Sequence, residues 1–337
     1  MRVTKRRVIA VLFIIASFYF YGVAGTTLRQ LKPYENLITL IQTRPTISAN
    51  EANQMQQKNI NLESTRIFSI WGQDGLTQIE NSALNRTTEV KVIYVNGGTQ
   101  TLFLENTNLL YGDLEGCLID KITAERLFGS YDIVGMTIRY NGESYPIRGV
   151  LQNVEEVLVL PIKEQSEFKL DTMTLIKTSD ESAKEIKKLA AMQFDFHGEI
   201  LNFSLLSIIV KLFIIILPLM ISIQLIMLLR HYMIESKKES REKIVWSVLL
   251  VIIVIGLGYL FVNMIRFPKD AIPTKWSDFA FWGALWKEQV KSALLLVQSA
   301  KRVPELQFLS LWARTFQCIL VSMLCYWSMI LLMKKEK

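Results

Sequence analysis

Side chains able to make or break bonds are few and scattered in this chain. Of its three cysteines, Cys117 stands alone in the first two-thirds, and Cys318 and Cys325 lie in an apolar run near the C-terminus. The two histidines, His197 and His231, are far apart and each flanks an apolar segment. No Cys/His grouping has zinc spacing. No G-x-x-x-x-G-K-[ST] loop is present to cradle a nucleotide phosphate, and neither G-x-S-x-G nor H-E-x-x-H occurs. No carboxylate pair has a distinctive setting. The expectation is a chain without catalysis, metal or bound cofactor of its own. One charged stretch also stands out. Arg230 to Lys243 is short and charged, with Glu235, Lys238, Glu239 and Glu242 at i, i+3 and i+4 spacing and Lys237 and Arg241 between them. This stretch can form a helix. By itself such a charge run is a solvated loop retained for topology.

What positions these residues is a set of four unequally spaced apolar segments: Val8 to Gly25, Phe203 to Leu229, Ile244 to Ile265 and Leu311 to Met333. Half the residues are apolar and the mean hydropathy is +0.26. Each run is close to the ~20 residues needed to span ~30 Å of hydrocarbon. Backbone amides in lipid must bond internally, so each run should be a helix. The expected fold is a membrane protein of four transmembrane α-helices, with a large extracytoplasmic mixed α/β domain inserted between the first and second.

Lys and Arg set the orientation. Arg2, Lys5, Arg6 and Arg7 precede the first run, the 230–243 loop is basic, and Lys334, Lys335 and Lys337 form the tail. All three belong on the cytoplasmic side, and four spans make that self-consistent. Thr26 to Asn202 holds 17 basic and 23 acidic residues, a net of −6, although the whole chain is +7. The basic excess therefore lies at the membrane flanks and gives no reason to expect nucleic acid. The expected domains are 1–26 (tail and first span), 27–202 (outer domain, β-rich over about 105–165) and 203–229 (second span). After these come 230–243 (inner loop), 244–265 (third span), 266–310 (external loop) and 311–337 (fourth span and tail). The first run also fits a cleaved signal peptide, with Gly22-Val23-Ala24 near a cleavage point. Its length and the Tyr19-Phe20-Tyr21 belt favour retention.

Within the outer domain, Leu37, Leu40, Ile41, Ala52 and Met55 have loosely helical spacing, interrupted by Pro45. This predicts one or two helices over 31–58. Thr65 to Trp71 and Glu89 to Val95 alternate as strands, with room for a short helix between them. Asn96-Gly97-Gly98 signals a hairpin returning at Thr101 to Leu104. A strand at Cys117 to Ile119 leads to a helix over Thr123 to Phe128, closed by Gly129. Strands at Thr137 to Tyr140 and Ser144 to Leu151 flank an Asn141-Gly142 type I′ turn. Thr172 to Lys177 reads as a strand and Asp180 to Met192 as a helix.

Three pieces of this region recur in order: Ala124-Glu125-Arg126-Leu127-Phe128-Gly129, Val134-Gly135-Met136-Thr137-Ile138 and Ile147-Arg148-Gly149-Val150. They resemble the periplasmic core domain of MacB-type ABC transporter permeases. That family runs strand, A-x-x-L-F-G, hydrophobic-G-x-x-I, a short hairpin, then V-x-G-V. Tyr111-Gly112-Asp113 stands where the family often has a Gly-Arg pair with acidic residues, and the Arg is missing. Ala124, Leu127, Phe128, Gly129, Gly135, Ile138, Gly149 and Val150 are expected to be structural.

The resemblance implies a bacterial cell-membrane permease subunit with both termini in the cytoplasm. ATP would be held by a separate ABC-type ATPase docked on Glu235 to Glu242. A second permease copy, membrane lipid and an outer-face protein are the other implied partners. Helix motion, rather than a pore, would serve the export or handling of a peptide, lipid-linked molecule or antibiotic. An FtsX-like scaffold regulating an outer-face enzyme or sensor kinase is the alternative, and a receptor without an ATPase is a third. Pro218 marks a flexing point or a packed kink, and Gly256 and Gly258 permit close helix approach. The 266–310 loop is longer than in the family. Its apolar positions from Phe279 to Val297 have helical spacing, and Trp276, Trp282 and Trp286 suit a helix lying on the outer leaflet. The same helix could instead cap the domain or line an entrance.

Overall fold

The computed structural model describes residues 2–62, 65–105, 107–178, 181–201, 203–235, 240–264 and 302–334, with helical positions 283–284, 286–287, 290–291 and 294–295. The chain forms two units. One comprises Met1–Lys32, Ser204–Pro268 and Leu309–Lys337, and the other Pro33–Phe203 and Lys269–Phe308.

The apolar unit contains α1 (Arg2–Leu31), α5 (Ser204–Glu235), α6 (Ser240–Met264) and most of α7 (Val303–Lys334). Three described stretches are long and apolar enough to cross a membrane: Arg6–Asn36, Leu206–His231 and Val303–Met333. In α6 the apolar stretch among the described residues is the shorter Ile244–Gly256. Ala24, Val210, Ile214 and Ile319 make a small buried cluster. Hydroxyls tie α1 to α7: Ser322 Oγ donates to the Ser17 carbonyl at 2.7 Å, and Thr315 Oγ1 bonds Thr27 Oγ1 at 2.8 Å. The Trp312 indole N–H donates to the Leu206 carbonyl at 2.8 Å. In lipid no hydrophobic force separates helix from solvent, so such bonds and close packing hold helices together. Pro218 lies inside α5 without ending it.

The polar unit is built on nine strands: β1 (Leu37–Ile41), β2 (Phe68–Asn81), β3 (Arg86–Asn96), β4 (Cys117–Asp120), β5 (Thr137–Tyr140), β6 (Glu143–Leu151), β7 (Val157–Pro161), β8 (Thr172–Ile176) and β9 (Glu199–Leu201). Their order is β3-β7-β4-β6-β5-β2-β8-β1-β9, with β2 also paired to β3. That extra pairing closes six strands into a barrel, leaving β2-β8-β1-β9 as an open sheet. Helices α2 (Ala49–Ile60) and α4 (Ala183–Phe194) cover the sheet, burying Ala52, Ile186 and Phe194 against Ile38, Leu40, Ile70 and Met173. Helix α3 (Lys121–Phe128) packs Ala124 and Leu127 onto the barrel residues Val90, Val92, Ile119 and Leu158. The alternate residues Ile93, Val95, Leu118, Val157 and Val159 face a third cluster with Trp71 and Phe103. Both faces of β4 and β7 are therefore buried, which is why their sequences read as apolar runs.

Local signals set the helix ends. Ser48 with Glu51, and Ser182 with Glu185, form capping boxes. Buried Asp120 caps α3 through the N–H groups of Ile122 and Thr123 and also accepts from Val157 N–H at 2.8 Å. Gly129 ends α3 at φ 71°, and Asn141 and Gly142 have the two positive φ values of a type I′ turn.

Three expectations are corrected. Leu37–Ile41 is a strand between β8 and β9, because an uninterrupted apolar run satisfies helical and strand spacing alike. The stretch between Trp71 and Glu89 is no helix. β2 continues through a bulge at Gln73/Leu76 to Asn81, and its exposed half lacks alternation. Thr101–Leu104 is no returning strand, since β2 and β7 occupy the two sides of β3. A 3-10 turn at Thr99–Thr101 stands there instead. Strands β7 and β9 were not anticipated. The last helix also starts at Val303, ahead of the apolar run at Leu311.

The Arg66 guanidinium grips Glu181 at 2.9 and 2.5 Å, and this hydrogen bonding holds the Glu181 carboxyl down to about 2. A depressed carboxyl stabilises the fold above its unfolded value of ~4.5 and loses that effect as pH falls toward 2. Both side chains are about one-fifth exposed, so the screened contribution is on the order of 1 kcal/mol. Glu181→Gln should lower urea stability by that amount at pH 7 and flatten its decline between pH 5 and 2. An unchanged pH profile would rule this contribution out.

Candidate functional site

The polar unit is joined to the apolar helices at Tyr34 after α1, Phe203 before α5 and Phe308 in the second turn of α7. These three rings meet. The Phe308 centroid lies 4.3 Å from that of Phe203 and 5.4 Å from that of Tyr34. All three are buried. Such pairs contribute about 0.5–1.5 kcal/mol each beyond the area they bury. The three connections are thereby fastened to one point.

Beside this junction the first residues of α7 are bonded to the sheet. Arg302 forks onto Asp171, with Nη1 at 3.0 Å from Oδ1 and Nη2 at 2.5 Å from Oδ2, and Nη1 also donates to Thr172 Oγ1. Both charged side chains are only 13% exposed, so the pair is little screened. The guanidinium carbon sits 5.4 Å from the Trp71 ring centroid. Val303 N–H, one of the donors a helix start leaves unpaired, donates to Gln73 Oε1 at 2.8 Å. Gln307 Nε2 donates to Glu105 Oε1 at 3.3 Å, and Glu105 also accepts from the backbone of Gln152 and Asn153. The carboxyl of Glu305 is buried among these groups, with Oε2 unpartnered. The helix start is thus held to β2, to the entry of β8 and to the loop after β6.

The motif residues fall elsewhere. Ala124 and Leu127 are buried in α3, Ile138 in β5 and Val150 in β6, with Phe128 partly buried beside them. Gly129 and Gly135 take positive φ. At Gly149 a Cβ would lie 1.9 Å from Thr107 Cγ2, so any side chain there would have to displace Thr107. Together these residues build the barrel around α3, apart from the junction. Asp113 lies on the loop before β4. Burial pushes its carboxyl up, but the hydrogen bonds from Arg148 Nε at 2.8 Å and from the Gly116 and Glu115 N–H groups outweigh this and hold it low. Of the expected docking residues, Glu235 ends α5 and Arg241 and Glu242 lie in the first turn of α6. Lys237, Lys238 and Glu239 lie outside the described residues, as does most of the expected external helix.

The reactive side chains are quiet. Cys117 is fully buried, and burial pushes its thiol up to about 12, so it carries no thiolate at neutral pH. His197 is exposed beside Asp195 at 3.1 Å. Among the described residues no three His, Cys, Asp or Glu side chains are grouped to hold a metal. Sequence reasoning missed Tyr34, Phe203, Phe308, Arg302 and Asp171. The available signal was weak: aromatic residues at the ends of apolar runs.

Comparison with known proteins places the chain in a family. The model of the MacB-like periplasmic core domain matches residues 8–191, more than half of the chain. Among solved structures, the periplasmic region of MacB from Actinobacillus actinomycetemcomitans is similar at 14% identity and TM-score 0.38, over 50% of this chain and 88% of that one. The extracellular domain of the noncanonic ABC-type transporter YknZ from Gram-positive bacteria is similar at 16% identity and TM-score 0.36, over 48% and 94%. No curated protein matches.

Removing one partner of the Arg302–Asp171 pair leaves a buried charge uncompensated. Arg302→Ala should therefore cost about 3–5 kcal/mol in chemical unfolding of the detergent-solubilised chain. Adding Asp171→Ala should recover more than about 1 kcal/mol of that loss. Strict additivity of the two changes would show that the pair is not coupled.

Proposed function

The chain belongs to the MacB-like periplasmic core domain family of ABC-type permeases, and from that membership we propose that it transmits ATP-driven motion of a separate ATPase to its extracytoplasmic domain. The family places the polar unit outside the cell membrane. The observation that carries the finer reading is the junction, where the connections to α1, α5 and α7 share the Tyr34, Phe203 and Phe308 rings. Motion entering any one of these helices meets the same buried cluster, and the Arg302 fork passes it to the sheet.

In this proposal α6 is the fourth span and both termini are cytoplasmic. Two permease copies work with ATPase subunits that hold the ATP. Closure of the ATPases moves the 230–243 segment, with Glu235, Lys237, Lys238, Glu239, Arg241 and Glu242 as the docking face. The cargo is a peptide, lipid-linked molecule or antibiotic handled at the outer face. The chain itself hydrolyses nothing.

A specific observation keeps an FtsX-like scaffold as a second reading. Leu110, Tyr111 and Leu114 are exposed on one loop, beside a cleft of about 370 Å3 lined also by Asn53, Asn96 and Glu164. Exposed apolar side chains gathered at a cleft suit an outer-face protein partner.

Affinity purification of the full chain from its native host separates these readings. Transmission predicts a stoichiometric P-loop ATPase that is lost when 235–242 is scrambled. It also predicts that Phe308→Ala keeps the ATPase bound and hydrolysing while export falls at least tenfold. Recovery of outer-face proteins alone, without an ATPase, would favour the scaffold. Export undiminished by Phe308→Ala would refute transmission through the junction.

A further inference from the structure

Three side chains from separate elements form a hydrogen-bonded chain along the cleft of about 370 Å3 beside the 110–114 loop. Glu164 follows β7, Asn53 lies on α2 and Asn96 ends β3. Asn53 Nδ2 donates to Glu164 Oε1 at 3.1 Å, and Asn96 Nδ2 donates to Asn53 Oδ1 at 2.6 Å. Donor chemistry fixes this order. A carboxylate only accepts, so Asn53 must turn its NH2 toward Glu164 and its carbonyl toward Asn96. Asn96 must then give its own NH2 to that carbonyl, which leaves its Oδ1 over. Asn96 is 6% exposed, and its Oδ1 has no hydrogen-bond partner among the described residues. A buried acceptor left unpaired costs free energy that a donor recovers.

We propose that this cleft binds a small amphipathic primary amine, its ammonium donating to Asn96 Oδ1 and its apolar part lying against Val95, Ile162 and the 110–114 loop. The volume lies within the range of small-molecule sites. The ligand has to bring a donor, because the order of the two amides leaves Asn96 only an acceptor. An ammonium carries three donors and no acceptor. The Glu164 carboxylate, one amide away, favours a charged donor over a neutral one. Asp113, the other acidic residue among the described lining, is taken up by Arg148 and by the Gly116 N–H and has no part in this. Val95 and Ile162 are buried, and Leu110 and Leu114 are exposed at the same cleft, so a hydrocarbon or aromatic body would cover apolar surface there. The proposal concerns binding by the chain itself and holds under either reading of its function.

The test is calorimetric titration of the full chain in phosphatidylcholine nanodiscs with phenethylamine, the heat of empty nanodiscs being subtracted. Saturable binding is expected. It should weaken about tenfold for N,N,N-trimethylphenethylammonium, which keeps the ring and the charge but has no N–H to donate. Asn96→Leu and Glu164→Gln should each weaken phenethylamine by a similar factor, whereas Glu167→Gln, an exposed carboxylate outside the cleft, should not. If Asn96→Leu shifts the unfolding midpoint, the result for Glu164→Gln, at an exposed position, decides. No saturable binding would overturn the proposal, as would equal binding of the two ammonium probes or binding unchanged in Glu164→Gln. Tighter binding of the peptide acetyl-Leu-Lys-Leu-amide, lost in the same variants, would replace the small ligand with a lysine presented by a protein partner.

Discussion

Strand β2 has to serve two sheets at once, and the burial of Trp71 within it is what makes this stable. Its first residues pair with β8 in the open sheet, and its later residues pair with β3 along most of their length. Trp71 sits in the early part, 1% exposed, with its indole N–H donating to Thr174 Oγ1 at 3.0 Å. A buried indole without an acceptor would cost the desolvation of its N–H, and the Thr174 hydroxyl removes that cost. The ring then packs in the cluster that also holds Ile93, Phe103 and Val303. Open sheet, barrel and helix start all meet on one aromatic side chain.

The start of α7 is held within the same cluster. Here α7 begins inside the polar unit, with Arg302 bidentate on Asp171 and lying over Trp71. Phe308 extends the contact to the connections of the two other helices through Phe203 and Tyr34.

Much of the barrel was legible from local signals. The Asn141-Gly142 turn, the Gly129 cap and the alternation of Glu89 to Val95 each depend on a few neighbouring residues, and each element is present in the structure. The failures share a cause. Leu37–Ile41 was read as helix, and Val157–Pro161 was not read at all, because strands buried on both faces show no period. Asn96-Gly97-Gly98 correctly marks the end of β3, but the strands beside β3 are the preceding β2 and β7, the latter some sixty residues further on. A turn signal says where a strand stops and not which strand lies beside it.

The amino-acid sequence alone determined the apolar segments, the polar insertion with its acidic balance, and the order of glycines and apolar residues that marks the core domain. These are properties of composition and short-range spacing, set by the length of a membrane span and by the conformations of single residues. Only the tertiary structure decided that Tyr34, Phe203 and Phe308 are neighbours and that Arg302 answers Asp171. Each joins residues about a hundred or more positions apart. Sequence patterns report the face a side chain takes within its own helix or strand. Which faces then meet depends on how the whole chain closes its sheets.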